Sequence, residues 1–263
     1  MPHAGHVYYE EFGDGQPLVL LHGHTLDRRM WRQVVPLLAD RYRVITPDLA
    51  EHGRSGATPA GQSPADDLAG LLHAVGIARA AVCGLSMGGG TAVGFALDYP
   101  QLCAALVPVD SALAGFRFPT WPGPRPYVKM ARAEGLAPAL EAWLADALFA
   151  SVMATPAAGE VRAIVHDFPG GLWLESGRVT AGGPAPGPQR PDAERLGEVT
   201  APTLVVVGEH DLPDFQQIAD LLMSGIPGAR RAVIPGAGHL APIEQPRAFA
   251  EVLLAFLEQV AWE

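Results

Sequence analysis

The stretch "VCGLSMGGG" (Val82–Gly90) decides how this sequence is read. Its centre, Gly84 to Gly88, has the form G-x-S-x-G. Glycine and serine are common, so the spacing alone says little; the surroundings say more. The run before it, "AAVCGLS" (80–86), is short and apolar and reads as a buried strand. The run after it, "GGTAVGFALDYP" (89–100), reads as a helix ended by Pro100. A turn that passes straight from strand to helix strains its central residue and leaves little room beside it. Gly84 and Gly88 are small enough to flank it. Ser86 is then lifted above the strand end, at the positive end of a helix where developing negative charge is favoured. It is the candidate nucleophile.

Outward from this turn, short apolar runs alternate with amphipathic ones. Strands are expected at "PLVLLHG" (17–23), "YRVITPD" (42–48), "LCAALVPVD" (102–110), "TLVVVGEHD" (203–211) and "RRAVIPG" (230–236). Helices are expected over 30–41, 63–76, 215–226 and 245–261. Ser63 before Pro64, with acids following, marks a helix start. "VYYEEFG" (7–13) adds an antiparallel edge strand. Strands buried on both faces and alternating with helices imply an α/β fold: a mostly parallel sheet of about eight strands, with helices on both faces. Residues 112–197 break the alternation. Their ends are rich in Pro and Gly, "FPTWPGPRP" (118–126) and "GGPAPGPQRP" (182–191), with helical patterns between. We expect a small helical cap over 112–197, inserted after the sixth strand between core parts 1–111 and 198–263. An insertion at the carboxyl ends of parallel strands lies where such sheets bind ligands.

A serine hydroxyl is a poor nucleophile without a base. His239, in "GAGHLAPIEQP", follows the last strand among small residues, which leaves its imidazole free to reach Ser86. The base needs an orienting acid, and Asp211 ends the strand "TLVVVGEHD". The chain order Ser86, Asp211, His239 is the one expected with this kind of turn. Asp110 also follows a strand and is the second candidate acid, whereas Asp214 reads as the N-cap of the next helix. An oxyanion needs backbone N–H donors. Met87 directly after the nucleophile supplies one, and His24, in the loop after "LVLLHG", supplies the other.

Together these stretches resemble the α/β-hydrolase fold superfamily, of the serine esterase and lactonase type. They are similar in size and motif style to the 3-oxoadipate enol-lactonase and small carboxylesterase group. The resemblance runs from "VYYEEFGDGQPLVLLHG" through "GLSMGGG" and "GEHDLPDF" to "GAGHLAPIEQP". It implies cleavage of a carboxylic ester or lactone through an acyl-enzyme intermediate, with no cofactor. Epoxide hydrolases and haloalkane dehalogenases of this fold carry an aspartate at the turn, and Ser86 argues against both. Carbon–carbon bond hydrolases and perhydrolases keep a serine and form the alternative. A ligand receptor with vestigial turnover is a third reading, disfavoured by the complete Ser-Asp-His set. One departure stands out. These proteins commonly carry D-x-x-G-x-G-x-S after the third core strand, and "DLAEHGRS" (48–55) places Glu51 where a glycine is usual.

Composition narrows the field. The 263 residues are 49% hydrophobic and 17% charged, enough apolar material for one sizeable core. A formal charge of −10 opposes binding to nucleic acid or an anionic membrane. No apolar run approaches the ~20 residues of a spanning helix, and the N-terminus lacks a signal-peptide pattern. A cytoplasmic protein acting on a small molecule is expected. Cys83 and Cys103 lie in apolar runs and read as buried free thiols. His22 and His24 have no matching ligand cluster, so no metal is expected. The cap aromatics Trp121, Trp143, Phe149, Phe168 and Trp173 mostly suit its own core. Trp173 and Trp143 are the candidates for the substrate pocket, with Arg117 and Arg125 in reach of it.

Overall fold

In a computed structural model, which describes residues 2–175 and 190–262, eight strands form one sheet. They are β1 (His3–Ala4), β2 (Val7–Phe12), β3 (Gln16–Leu21), β4 (Tyr42–Pro47), β5 (Ala80–Leu85), β6 (Cys103–Val109), β7 (Leu204–Gly208) and β8 (Arg230–Ile234). The spatial order is β1-β2-β4-β3-β5-β6-β7-β8. β2 runs antiparallel to β4, and β1 antiparallel to β2, so the edge belongs to a two-residue strand outside "VYYEEFG". All other pairings are parallel. Every residue of β5 and β6 is buried, which is why these strands read as unbroken apolar runs. From β3 the chain first moves outward to β4, then crosses back to β5. The strand order therefore reverses between β3 and β5, and the loops after those two strands frame the crevice in which such sheets bind ligands.

The helices are α1 (Val35–Leu38), α2 (Pro64–Ala74), α3 (Met87–Asp98), α4 (Arg125–Glu134), α5 (Leu136–Leu144), α6 (Ala150–Met153), α7 (Ala158–His166), α8 (Gly171–Leu174), α9 (Pro213–Gly225), α10 (Ala241–Glu244) and α11 (Pro246–Leu257). α2 starts as expected: Ser63 and Asp66 form a reciprocal capping box ahead of Pro64. The expected helix over 30–41 is instead a 3-10 turn, Arg28–Trp31, followed by the four-residue α1. Pro36 explains the break, since it lacks an N–H and its ring clashes with the carbonyl four residues back. The closing helix expected over 245–261 is α11, which starts at Pro246 and ends at Leu257, and the four-residue α10 precedes it. α4 to α8 lie between β6 and β7, with no strand among the described residues there, and the run "GGPAPGPQ" (182–189) falls outside the described residues. Trp143, Phe149, Val161, Phe168 and Trp173 fill the interior of this helical segment. Cys83 and Cys103 are free and buried, and burial pushes both thiols above their ordinary range. Among the described residues, no single helix is long and apolar enough to cross a membrane.

Candidate active site

Ser86 sits between β5 and α3 with φ 53° and ψ −113°, a conformation that costs a non-glycine residue of order 1–3 kcal/mol. Its backbone is clamped on both sides. Its N–H donates to Val109 O at 2.9 Å, and its carbonyl accepts from Gly90 and Ala112, each at 3.0 Å. The flanking glycines are required by space. A Cβ on Gly84 would lie 2.2 Å from Gly88 O, and one on Gly88 would lie 2.6 Å from the carbonyl oxygens of both Leu21 and His22. Those are backbone atoms that cannot swing away. Gly88→Ala is therefore expected to destabilise the fold by about 3 kcal/mol, a drop of about 6–12 °C in Tm by calorimetry.

His239 lies in the loop between β8 and α10. Its Nδ1 faces the Asp211 carboxylate at 3.0 and 3.1 Å, and both side chains are buried. Asp211 Oδ1 also accepts the N–H of Leu212 at 2.7 Å. The Nε2 of His239 is buried without a hydrogen-bond partner, and Phe215 packs on the imidazole with ring centroids 4.2 Å apart. Ser86 and His239 both line one cavity of about 1100 Å³, together with His24, Trp121, Trp143 and Phe215.

Asp110 belongs to the same cluster in another role. Its Oδ1 accepts the N–H of Gly208 at 2.7 Å, while its Oδ2 is buried and unpartnered. Burial, reinforced by the charge of Asp211, holds its carboxyl well above the usual carboxylate range. Asp211 thus engages the imidazole, while Asp110 stands behind it with its carboxyl biased toward the neutral form. Asp110, Asp211 and His239 place potential metal-ligating atoms within 4.8 Å of one another. The bonds from His239 to Asp211 and from Gly208 to Asp110 give the cluster an internal hydrogen-bonding role.

The turn after β3 supplies the facing wall. His24 N–H donates to no backbone carbonyl among the described residues, and Met87, as the first residue of α3, has an N–H with no intrahelical acceptor. His22 is structural: its Nδ1–H donates to Gly23 O, and its Nε2 accepts the Leu49 N–H, both at 2.8 Å. Burial drives the His24 imidazole down to about 3, so the ring is neutral. The departure at Glu51 keeps the expected turn, since Glu51 holds φ at 62°.

Two sequence expectations change here, and one further residue joins the site. Trp143 lines the cavity but Trp173 does not; Trp173 is fully buried behind His24, with its indole N–H on His24 Nε2 at 2.9 Å. Asp214 is not an N-cap. It stands inside the first turn of α9, fully buried, and accepts from Thr120 Oγ1 at 2.6 Å and from the Trp121 N–H at 2.7 Å. It ties the segment after β6 to the core. Glu244 is the residue without a sequence expectation: its carboxylate accepts the N–H groups of Gly238 at 3.0 Å and Leu240 at 3.1 Å, bracketing His239, and also receives the Ser151 hydroxyl. Its position five residues past His239 was the available signal. Arg117 and Arg125 both line the cavity.

Residues 18–252 match the alpha/beta hydrolase family. The chain belongs to that family. Relatives named as hydrolases match it over nearly their full length. It is 28% identical over 261 residues to the pimeloyl-[acyl-carrier protein] methyl ester esterase of Yersinia enterocolitica, covering 96% of this chain and 98% of that one. It is 30% identical over 278 residues to the putative carbamate hydrolase RutD of Azorhizobium caulinodans, covering 99% of each. Among solved structures, a thermophilic esterase from Thermogutta terrifontis superposes with a TM-score of 0.81 at 30% identity, covering 96% of this chain and 93% of that one. The enol-lactonase from Burkholderia xenovorans superposes with a TM-score of 0.80 at 26% identity, covering 96% of each. The family match with the esterase and enol-lactonase neighbours makes the chain an alpha/beta hydrolase of the esterase and lactonase type.

Proposed function

We propose that the protein is a serine hydrolase that cleaves a carboxylic ester or lactone through an acyl-enzyme intermediate. One observation carries the reading: Ser86, held on a strained turn, opens into the same cavity as a His239 whose Nε2 is unpartnered and whose Nδ1 is held by Asp211. Relatives named esterase and enol-lactonase support it. In this reading His239 Nε2 takes the hydroxyl proton as Ser86 Oγ attacks the carbonyl carbon. Asp211 keeps the Nδ1–H tautomer and stabilises the imidazolium. The N–H groups of His24 and Met87 receive the oxyanion. His239 then passes its proton to the leaving alkoxide, and water, activated by the same nitrogen, releases the acid.

The cavity is large enough for a substrate of drug-like size and has aromatic walls in Trp121, Trp143 and Phe215. The purified protein is therefore expected to turn over p-nitrophenyl acyl esters or simple lactones. Its kcat/KM for one of these should exceed that for a vinylogous carbon–carbon hydrolase substrate by more than about tenfold, or about 1.4 kcal/mol in the transition state. The opposite preference would move the assignment to carbon–carbon cleavage. No turnover of any carbonyl substrate would overturn the proposal.

A further inference from the structure

Two indole N–H groups from the segment between β6 and β7 converge on the turn after β3. Trp143, on α5, donates from Nε1 to Thr25 Oγ1 at 2.7 Å. Trp173, on α8, donates from Nε1 to His24 Nε2 at 2.9 Å. Both indoles are fully or almost fully buried. The turn they reach is strained. Leu26 N–H donates to Gly23 O at 3.2 Å, which leaves His24 and Thr25 as its central residues. Thr25 holds φ at 59°, in the position where such turns favour glycine or asparagine. A β-branched residue does not adopt that conformation unaided; its surroundings must hold it there. Thr25 Oγ1 is doubly engaged, donating to His24 O at 2.7 Å while accepting from Trp143. The His24 N–H lies in the Gly23–His24 peptide, whose carbonyl accepts from Leu26 to close this turn, so its direction depends on the turn being held.

We propose that Trp143 and Trp173 are positioning residues for the oxyanion hole, their indole N–H groups holding the strained His24–Thr25 turn so that the His24 N–H faces the carbonyl oxygen of a substrate at Ser86. This rests on the serine-hydrolase reading. It makes the helices between β6 and β7 part of the catalytic apparatus as well as a cover over it. It also fixes the His24 tautomer: with Nε2 accepting from Trp173, the ring proton sits on Nδ1.

The test removes each hydrogen bond in two ways, once by shortening the buried indole and once by removing its acceptor with the indole kept. Trp143→Phe and Trp173→Phe lose the donors. Thr25→Val loses the acceptor of Trp143 and serves if Trp143→Phe fails to fold; His24→Leu loses the acceptor of Trp173 and keeps the backbone N–H, and serves if Trp173→Phe fails to fold. With p-nitrophenyl butyrate as probe, each variant is expected to lose about 10–100-fold in kcat with KM within about threefold of wild type, because the interaction acts on the transition state. Affinity for an alkyl trifluoromethyl ketone, whose hemiketal oxygen occupies the oxyanion hole, should fall in parallel. A purely structural role would lower Tm and leave kcat and inhibitor affinity unchanged in the folded fraction, and that result would overturn the proposal. Full activity in Ser86→Ala would instead remove the serine reading, and this proposal with it.

Discussion

Ser86→Ala is expected to lower kcat/KM for p-nitrophenyl butyrate by about 10⁴–10⁶-fold, the loss that follows removal of a triad nucleophile. The fold should be little affected. Ser86 is 9% exposed and borders the cavity, so truncation opens no closed void. The strained backbone is held by its own hydrogen bonds to Val109, Gly90 and Ala112, none of which involves the hydroxyl. Stopped-flow or steady-state release of p-nitrophenol measures the loss, and circular dichroism with a thermal melt checks the fold. A variant that keeps more than a tenth of wild-type activity would place the nucleophile elsewhere.

The second large effect separates the two buried acids. Asp211→Asn is expected to reduce kcat by about 10⁴-fold, because an amide facing Nδ1 favours the wrong imidazole tautomer. Asp110→Asn is expected to cost less than about tenfold, since a neutral carboxyl and an amide both present an acceptor to the Gly208 N–H. The physical reason for the asymmetry is charge. Two carboxylates cannot share this buried site fully ionised, and the one on the imidazole is the one whose charge is used. A larger loss from Asp110→Asn than from Asp211→Asn would exchange their roles.

Much of this was legible in the chain because it depends on local order. The strand, turn and helix around Ser86 follow from neighbouring residues, as does the sequence of strand ends carrying Asp211 and His239. What was not legible depends on distant partners. Asp214 looks like a helix cap until Thr120 and Trp121 are brought to it across the fold. Trp173 looks like a pocket residue until its N–H is found on His24, which lies 149 residues away in sequence. Glu244 has the right offset from His239, but only the folded loop shows both neighbouring N–H groups pointing at it. The helix expected over 30–41 failed for a local reason: its apolar stripe outweighed Pro36 in the reading, although not in the chain.

The central claim is that cleavage passes through a covalent ester of Ser86. Acid quenching of the enzyme during turnover of p-nitrophenyl butyrate, followed by peptide mass mapping, tests it directly. A butyryl group on the peptide containing Ser86, formed in a burst that matches the enzyme concentration and absent from Ser86→Ala, is the expected result. Steady turnover with no burst and an unmodified Ser86 peptide would contradict it.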